Sequence, residues 1–307
     1  MARRDVYGTV MLALAAALGV GCTPSRSVTV STSSTSPAPS AATVVAASAA
    51  TAAPPVEVGA LAALVAALGD AGAEVASADG DPVRHTSPCT DGAERVEIDG
   101  QQVTLRHGGC FRCKLAGVIP AGLEARVHAF AQAFVDTPAS LLRAAHLARV
   151  ALCAELEYER GPDGDDLVGG TVDHLRRELL LSVDEVFPLP GADVLHHELF
   201  HLFETATSPR TTFRDPEWTA HNPPDFRYGR HEDGTVVAGF LNTHAMRNLR
   251  EDHATVYQFI MARPTELCAS DARLLGKARL LGARIRAVIG AADAAYLVRR
   301  APCLAEP

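Results

Sequence analysis

His197, Glu198 and His201 spell H-E-L-F-H inside the run Val194-Leu195-His196-His197-Glu198-Leu199-Phe200-His201-Leu202-Phe203-Glu204. This stretch constrains the fold more than any other in the chain. Its apolar residues recur at helical spacing, so His197 and His201 project from one face with Cβ atoms about 5–6 Å apart. Two imidazole nitrogens held that way can share one metal ion. Glu198 sits beside them, where a carboxylate can take a proton from a metal-bound water and pass it to a leaving amine. The competing reading is coincidence: twelve His and seventeen Glu scattered over 307 residues yield about 0.03 such matches.

A catalytic zinc takes three protein ligands and keeps a fourth position for water, so a third ligand must be found. The continuation H-x-x-G-x-x-H after the second histidine is absent, because Glu204 stands at its glycine position and Thr207 at its last histidine. A distant carboxylate is needed instead. The segment from Asn248 to Ile260 reads as a second helix and offers two, Glu251 and Asp252. Its apolar stripe of Leu249, His253, Val256, Tyr257 and Ile260 leans toward Asp252 and leaves Glu251 pointing away, as a solvated surface glutamate would. Periodicity alone does not choose Glu251.

Three further segments carry a resemblance. Asp215-Pro216-Glu217-Trp218-Thr219-Ala220-His221-Asn222-Pro223-Pro224-Asp225-Phe226-Arg227-Tyr228-Gly229, then Gly239-Phe240-Leu241-Asn242-Thr243-His244-Ala245-Met246, then Glu251-Asp252-His253-Ala254, resemble the bacterial zinc-binding metallopeptidases. Those are similar in catalytic core to the protease domain of anthrax lethal factor, a gluzincin. The similarity runs from roughly Leu175 to Ile260 and lies in the ordered set of motifs. It implies an α+β, zincin-like domain with an active-site helix, a small mixed sheet and C-terminal helices. It also implies Zn2+ held by His197, His201 and Glu251, with Glu198 as catalytic base and a peptide or protein as substrate. Two positions depart from the pattern. His244 stands where relatives have a tyrosine seven residues before the ligand glutamate, so His244 or Tyr228 is expected to donate to the oxyanion. Thr255 replaces an acidic residue four after the ligand, a loss of ligand-orienting charge for which Asp252 or Glu204 is expected to compensate.

The N-terminus says where such chemistry would occur. Arg3 and Arg4 precede an apolar run, residues 10–18, too short for a membrane span and shaped like a secretory signal. The run ends at Gly19-Val20-Gly21-Cys22, which resembles a lipobox with Cys22 as the lipidated residue; an unlipidated cysteine after ordinary cleavage is the alternative. Residues 1–21 are thus expected to be a lipoprotein-type signal. Residues 22–57, almost all Ser, Thr, Ala, Pro and Val, cannot bury enough surface to order themselves and should form a tether. Residues 58–307 should hold the metallopeptidase domain, with 58–120 as a disulfide-rich subdomain. The expected location is the bacterial cell envelope, on a membrane through the lipid anchor.

Six cysteines remain: Cys89, Cys110, Cys113, Cys153, Cys268 and Cys303. An even set in an exported chain implies up to three disulfides out of fifteen pairings. Cys110 and Cys113 form a C-x-x-C that also reads as a redox pair or half a zinc knuckle, although no second C-x-x-C follows. A bridge from Cys268 to Cys303 would clamp the ends of the closing helices. With a formal net charge of −8 and no basic stripe interleaved with aromatics, the chain is not expected to bind nucleic acid. Oligomeric state is not legible.

Local patterning predicts a helix over 58–68, a strand pair over 95–105 around Gly100, a helix over 122–135, strands over 149–157 and 176–183, the metal helix, and closing helices over 271–300. The strand before the metal helix is expected to line a cleft and accept an extended peptide on its edge. The reading from another functional class is a non-catalytic envelope binding or scaffold lipoprotein that retains the fold.

Overall fold

The computed structural model describes residues 58–76, 83–85, 93–98, 101–106, 110–116, 123–159, 165–183, 191–212, 214–229 and 234–305. The signal, Cys22, the tether, Cys89 and the side chain of Cys110 lie outside the described residues.

Helix α1 (Val58–Gly69) is followed by β1 (Glu74–Val75), β2 (Val83–His85), β3 (Ala93–Ile98), β4 (Gln101–Arg106) and β5 (Cys110–Leu115). Then come α2 (Glu124–Val135), α3 (Ala139–Ala144), β6 (Arg149–Glu159), β7 (Asp165–Leu167), β8 (Gly170–Asp173) and β9 (Glu178–Ser182). The remainder is helical: α4 (Gly191–Thr207), α5 (Pro216–Thr219), α6 (Leu249–Ala262), α7 (Pro264–Cys268), α8 (Ala272–Ile289) and α9 (Ala291–Arg300), with a closing 3-10 turn at Pro302–Leu304. This is an α+β architecture.

Among the described residues strands β3 and β4 pair with each other, while the others form one mixed sheet in the order β2-β5-β6-β9-β8, with β1 and β7 also on β6. The spine is β6, whose eleven residues are long enough to serve several partners at different heights. It runs parallel to β9, from Arg149 opposite Glu178 to Cys153 opposite Ser182. All five residues of β9 are buried, as expected of a strand covered on both faces. Both its edges are also occupied, by β6 and β8. The expectation that the strand before the metal helix offers its edge is therefore corrected: β8, antiparallel to β9, holds that outer position.

Helix α4 packs on β8, β9, α2 and α6. Its apolar residues Leu195, Leu199, Leu202 and Phe203 join Phe130 and Phe134 of α2 and Tyr257 and Ile260 of α6 in one core, each such burial stabilising by about 1.5–3 kcal/mol. Asn248 caps α6 by accepting from the Glu251 N–H at 3.1 Å, and from Asp252 to Met261 every residue of that helix is buried. Among the described residues two disulfides brace the fold. Cys113–Cys153 joins β5 to β6 and Cys268–Cys303 joins α7 to the final turn. The second is the expected clamp. The first gives Cys113 a partner other than Cys110, which removes the redox-pair and zinc-knuckle readings of the C-x-x-C. Among the described residues no helix is long and apolar enough to cross a membrane.

Candidate metal centre

The contact between α4 and the first turn of α6 brings Glu251 to His197 and His201, with 54 positions between His197 and Glu251 in sequence. His197 Nε2 lies 2.9 Å from Glu251 Oε2. His201 Nε2 lies 3.5 Å from the same oxygen and 3.2 Å from His197 Nε2. Two ring nitrogens cannot face each other with both lone pairs bare, so a proton or a cation must sit between them. Imidazole nitrogen and carboxylate oxygen stand about 2.1 Å from a divalent ion such as zinc, which makes the edges of a tetrahedral shell about 3.4 Å. The three observed separations straddle that edge, so the triangle fits one metal ion without rearranging the backbone. A second set, His197, His244 and Glu251, also places its donor atoms within 4.8 Å of one another, and His201 does not belong to it.

The electrostatics agree with the geometry. Burial pushes the Glu251 carboxyl up, but the rings of His201, His197 and His244 overcome it and hold the group well below the ordinary carboxylate range. Burial pushes His197 down, whereas Glu251 and Glu198 pull it up, with net upward movement. Glu251 and Glu198 thus favour positive charge at the His197 ring.

Glu251 and Asp252 part company completely. Asp252 is fully buried, and its Oδ2 accepts from Lys277 Nζ at 2.8 Å, Trp218 Nε1 at 2.7 Å and Tyr228 Oη at 2.8 Å. It therefore belongs to the structural interior and Glu251 to the histidine cluster. The same bonds correct the expectation for Tyr228: its hydroxyl proton is taken by Asp252, and burial beside that carboxylate pushes its ionisation up. His244 is the donor left at the centre, with Nε2 2.7 Å from Glu251 Oε2.

The support of the ligands also differs from expectation. Neither Asp252 nor Glu204 compensates for Thr255. Glu204 instead pairs with His253 Nδ1, and Asp215 lies 3.4 Å from the other nitrogen of that ring. Burial pushes His253 down, but the two carboxylates push it up to about 9. The group that reaches His197 is Gln258, which interacts with that ring and donates to Asp193 Oδ2 at 3.2 Å. Asp193 is in turn held by Arg263 at 2.7 Å. Such outer partners fix the tautomer and aim of a ligand histidine. Among the described residues His201 Nδ1 and the Thr255 hydroxyl have no hydrogen-bond partner.

Glu198 is half-buried on the rim of this centre. A Cβ added at Gly170 would stand 2.6 Å from Val194 Cγ1 and 3.0 Å from Glu198 Cγ, so glycine at the head of β8 is what lets that strand lie against the helix next to Glu198. The sequence offers Gly169-Gly170 as a sign of a turn, but the reason for glycine at 170 lies in Val194 and Glu198, which only the fold brings there. Lys277 was missed outright, since it sits in an Arg- and Leu-rich helix that looks amphipathic. No family model, curated protein or solved structure matches the chain.

Proposed function

We propose that this protein is a zinc-dependent peptidase of the zincin type, exported and tethered by lipid at Cys22 to a membrane of the cell envelope. The observation that carries the reading is the triangle of His197 Nε2, His201 Nε2 and Glu251 Oε2 at 2.9, 3.2 and 3.5 Å. Zinc held there would polarise a scissile carbonyl and make water acidic enough to attack near neutral pH. Glu198, next to His197 on the same helix, accepts the proton of the attacking water and returns it to the departing amine. His244 is positioned to donate to the oxygen on which charge develops. An extended substrate adds to the outer edge of β8, whose backbone passes Glu198 at Gly170.

Substituting Glu198 by Gln keeps the shape and removes the base. The expected result is full zinc loading with most hydrolysis of a peptide library lost, and unchanged hydrolysis would end the peptidase reading. The scaffold reading has one specific support, the contact of His244 with Glu251, because an imidazole in that place can occupy the position a substrate needs. Stoichiometric zinc with no chelator-sensitive cleavage would favour it.

A further inference from the structure

We propose that Arg250 binds a carboxylate of the substrate, so that acidic peptides are the class this centre takes. The inference rests on the peptidase reading and names its substrate. Arg250 stands in the first turn of α6, next to Glu251, and is half-buried. Its Nη2 donates to His174 Nε2 at 2.9 Å, and a ring nitrogen that accepts is neutral and brings no negative charge. Among the described residues no carboxylate pairs with Arg250, and its Nε is buried without a hydrogen-bond partner. Other half-buried guanidinium groups are treated differently: Arg263 is held by Asp193, and Arg284 by Asp215 and Glu217.

Three unfavourable effects coincide at this side chain. A guanidinium partly withdrawn from water loses hydration, no anion offsets the loss, and the first turn of a helix is the positive end of its dipole, where a cation is disfavoured. Its sequence neighbours give no relief, because the Glu251 carboxylate is engaged by histidines and that of Asp252 by Lys277. An anion arriving from solution would relieve all three. His174 follows directly on β8, the strand whose other end passes Glu198 at Gly170. A strand of that length spans about 13 Å, so a peptide laid along its edge with the scissile bond at Glu198 brings a residue roughly three or four positions away to Arg250. A carboxylate suits the place better than a carbonyl, since its two oxygens match the planar fork and carry the missing charge. It can belong to a Glu or Asp side chain or to the end of a chain.

Fluorescence anisotropy tests this on the full chain carrying Glu198→Gln, in which turnover is expected to be lost, and on the double variant Glu198→Gln, Arg250→Gln, both with zinc present. The probes are labelled decapeptides with one Glu three or four residues to either side of the centre, the same peptides with Gln, and each with a free or an amidated C-terminus. Glu peptides should bind the first protein about tenfold or more tighter than Gln peptides, and the second protein equally. A preference for the free over the amidated end would assign the carboxylate to a chain terminus, provided that it also vanishes with Arg250. No preference for a carboxylate in the first protein, or one that persists in the second, overturns the proposal. So does a lower urea midpoint in the Arg250 variant, because a residue that braces β8 destabilises when lost and an unpaired cation does not. A wild-type protein that binds acidic peptides through Arg250 and cleaves none would overturn the peptidase reading and leave the carboxylate site standing.

Discussion

Glu251 and Asp252 are neighbours in one helical turn, yet one faces a cluster of imidazoles and the other a buried ammonium. Glu251 keeps part of its surface toward solvent and shares a single oxygen with His197, His201 and His244. Asp252 has no exposure and shares a single oxygen with Lys277, Trp218 and Tyr228. The difference teaches how a buried helix divides its work. One position faces His197, His201 and His244, and the next ties the helix to Lys277 of α8. The Lys277 pair, 25 positions away in sequence, ties that stretch of α6 to α8.

The largest expected effect breaks the structural half of this comparison. Lys277→Met leaves Asp252 charged, buried and short of a partner, and should destabilise the fold by about 3–5 kcal/mol in urea unfolding. The double variant Lys277→Met, Asp252→Asn removes both charges and should recover most of that loss. A single variant as stable as wild type would show that the pair does not fasten α6.

Second in size is the clamp on the C-terminal helices. Replacing Cys268 and Cys303 by Ser frees a bridge with a sequence separation of 35 and should cost about 2–4 kcal/mol. Zinc binding should survive in whatever fraction stays folded. Loss of metal in the folded protein would mean that the closing helices shape the centre directly.

Smaller still is the acid response of Asp215. Burial pushes this carboxyl up, but the His253 ring 3.4 Å away and hydrogen bonds from Arg284 and the Trp218 N–H overcome it and hold it far below its ordinary value. A depressed carboxyl contributes stability that is present above its unfolded value, about pH 4, and is lost as pH falls below it. Arg284→Leu removes one of the holders, so the variant should lose less stability than wild type on acidification. Parallel acid limbs in thermal unfolding would contradict the assignment.

Much of the fold and part of the centre could be read locally. The helical spacing around His197 and His201, the second helix, the closing helices and the Cys268–Cys303 clamp all follow from patterns a few residues long. What could not be read depends on distant partners. The apolar stripe of α6 leaned toward Asp252 because burial on every side of that helix erases amphipathic contrast from Asp252 onward, so hydrophobicity no longer reports which carboxylate faces the site. Lys277 carries no local sign that it will be fully buried, since only Asp252 makes its charge tolerable there. The role of Gly170 is set by Val194 and Glu198 across a strand–helix contact. The pairing of Cys113 with Cys153 was one of fifteen possibilities until the register of β5 on β6 brought their Cα atoms to 5.3 Å.

Competitive zinc titration of the wild type, Glu251→Gln and the doubly neutral Asp252→Asn, Lys277→Met protein measures the division of labour most directly. Loss of the third protein ligand should lower zinc affinity by about a hundredfold or more in the Glu251 variant, whereas the charge-neutral interior should hold it within about tenfold of wild type. Equal affinity in all three would mean that Glu251 is not a ligand. The reverse order would place the metal on the Asp252 side of the helix.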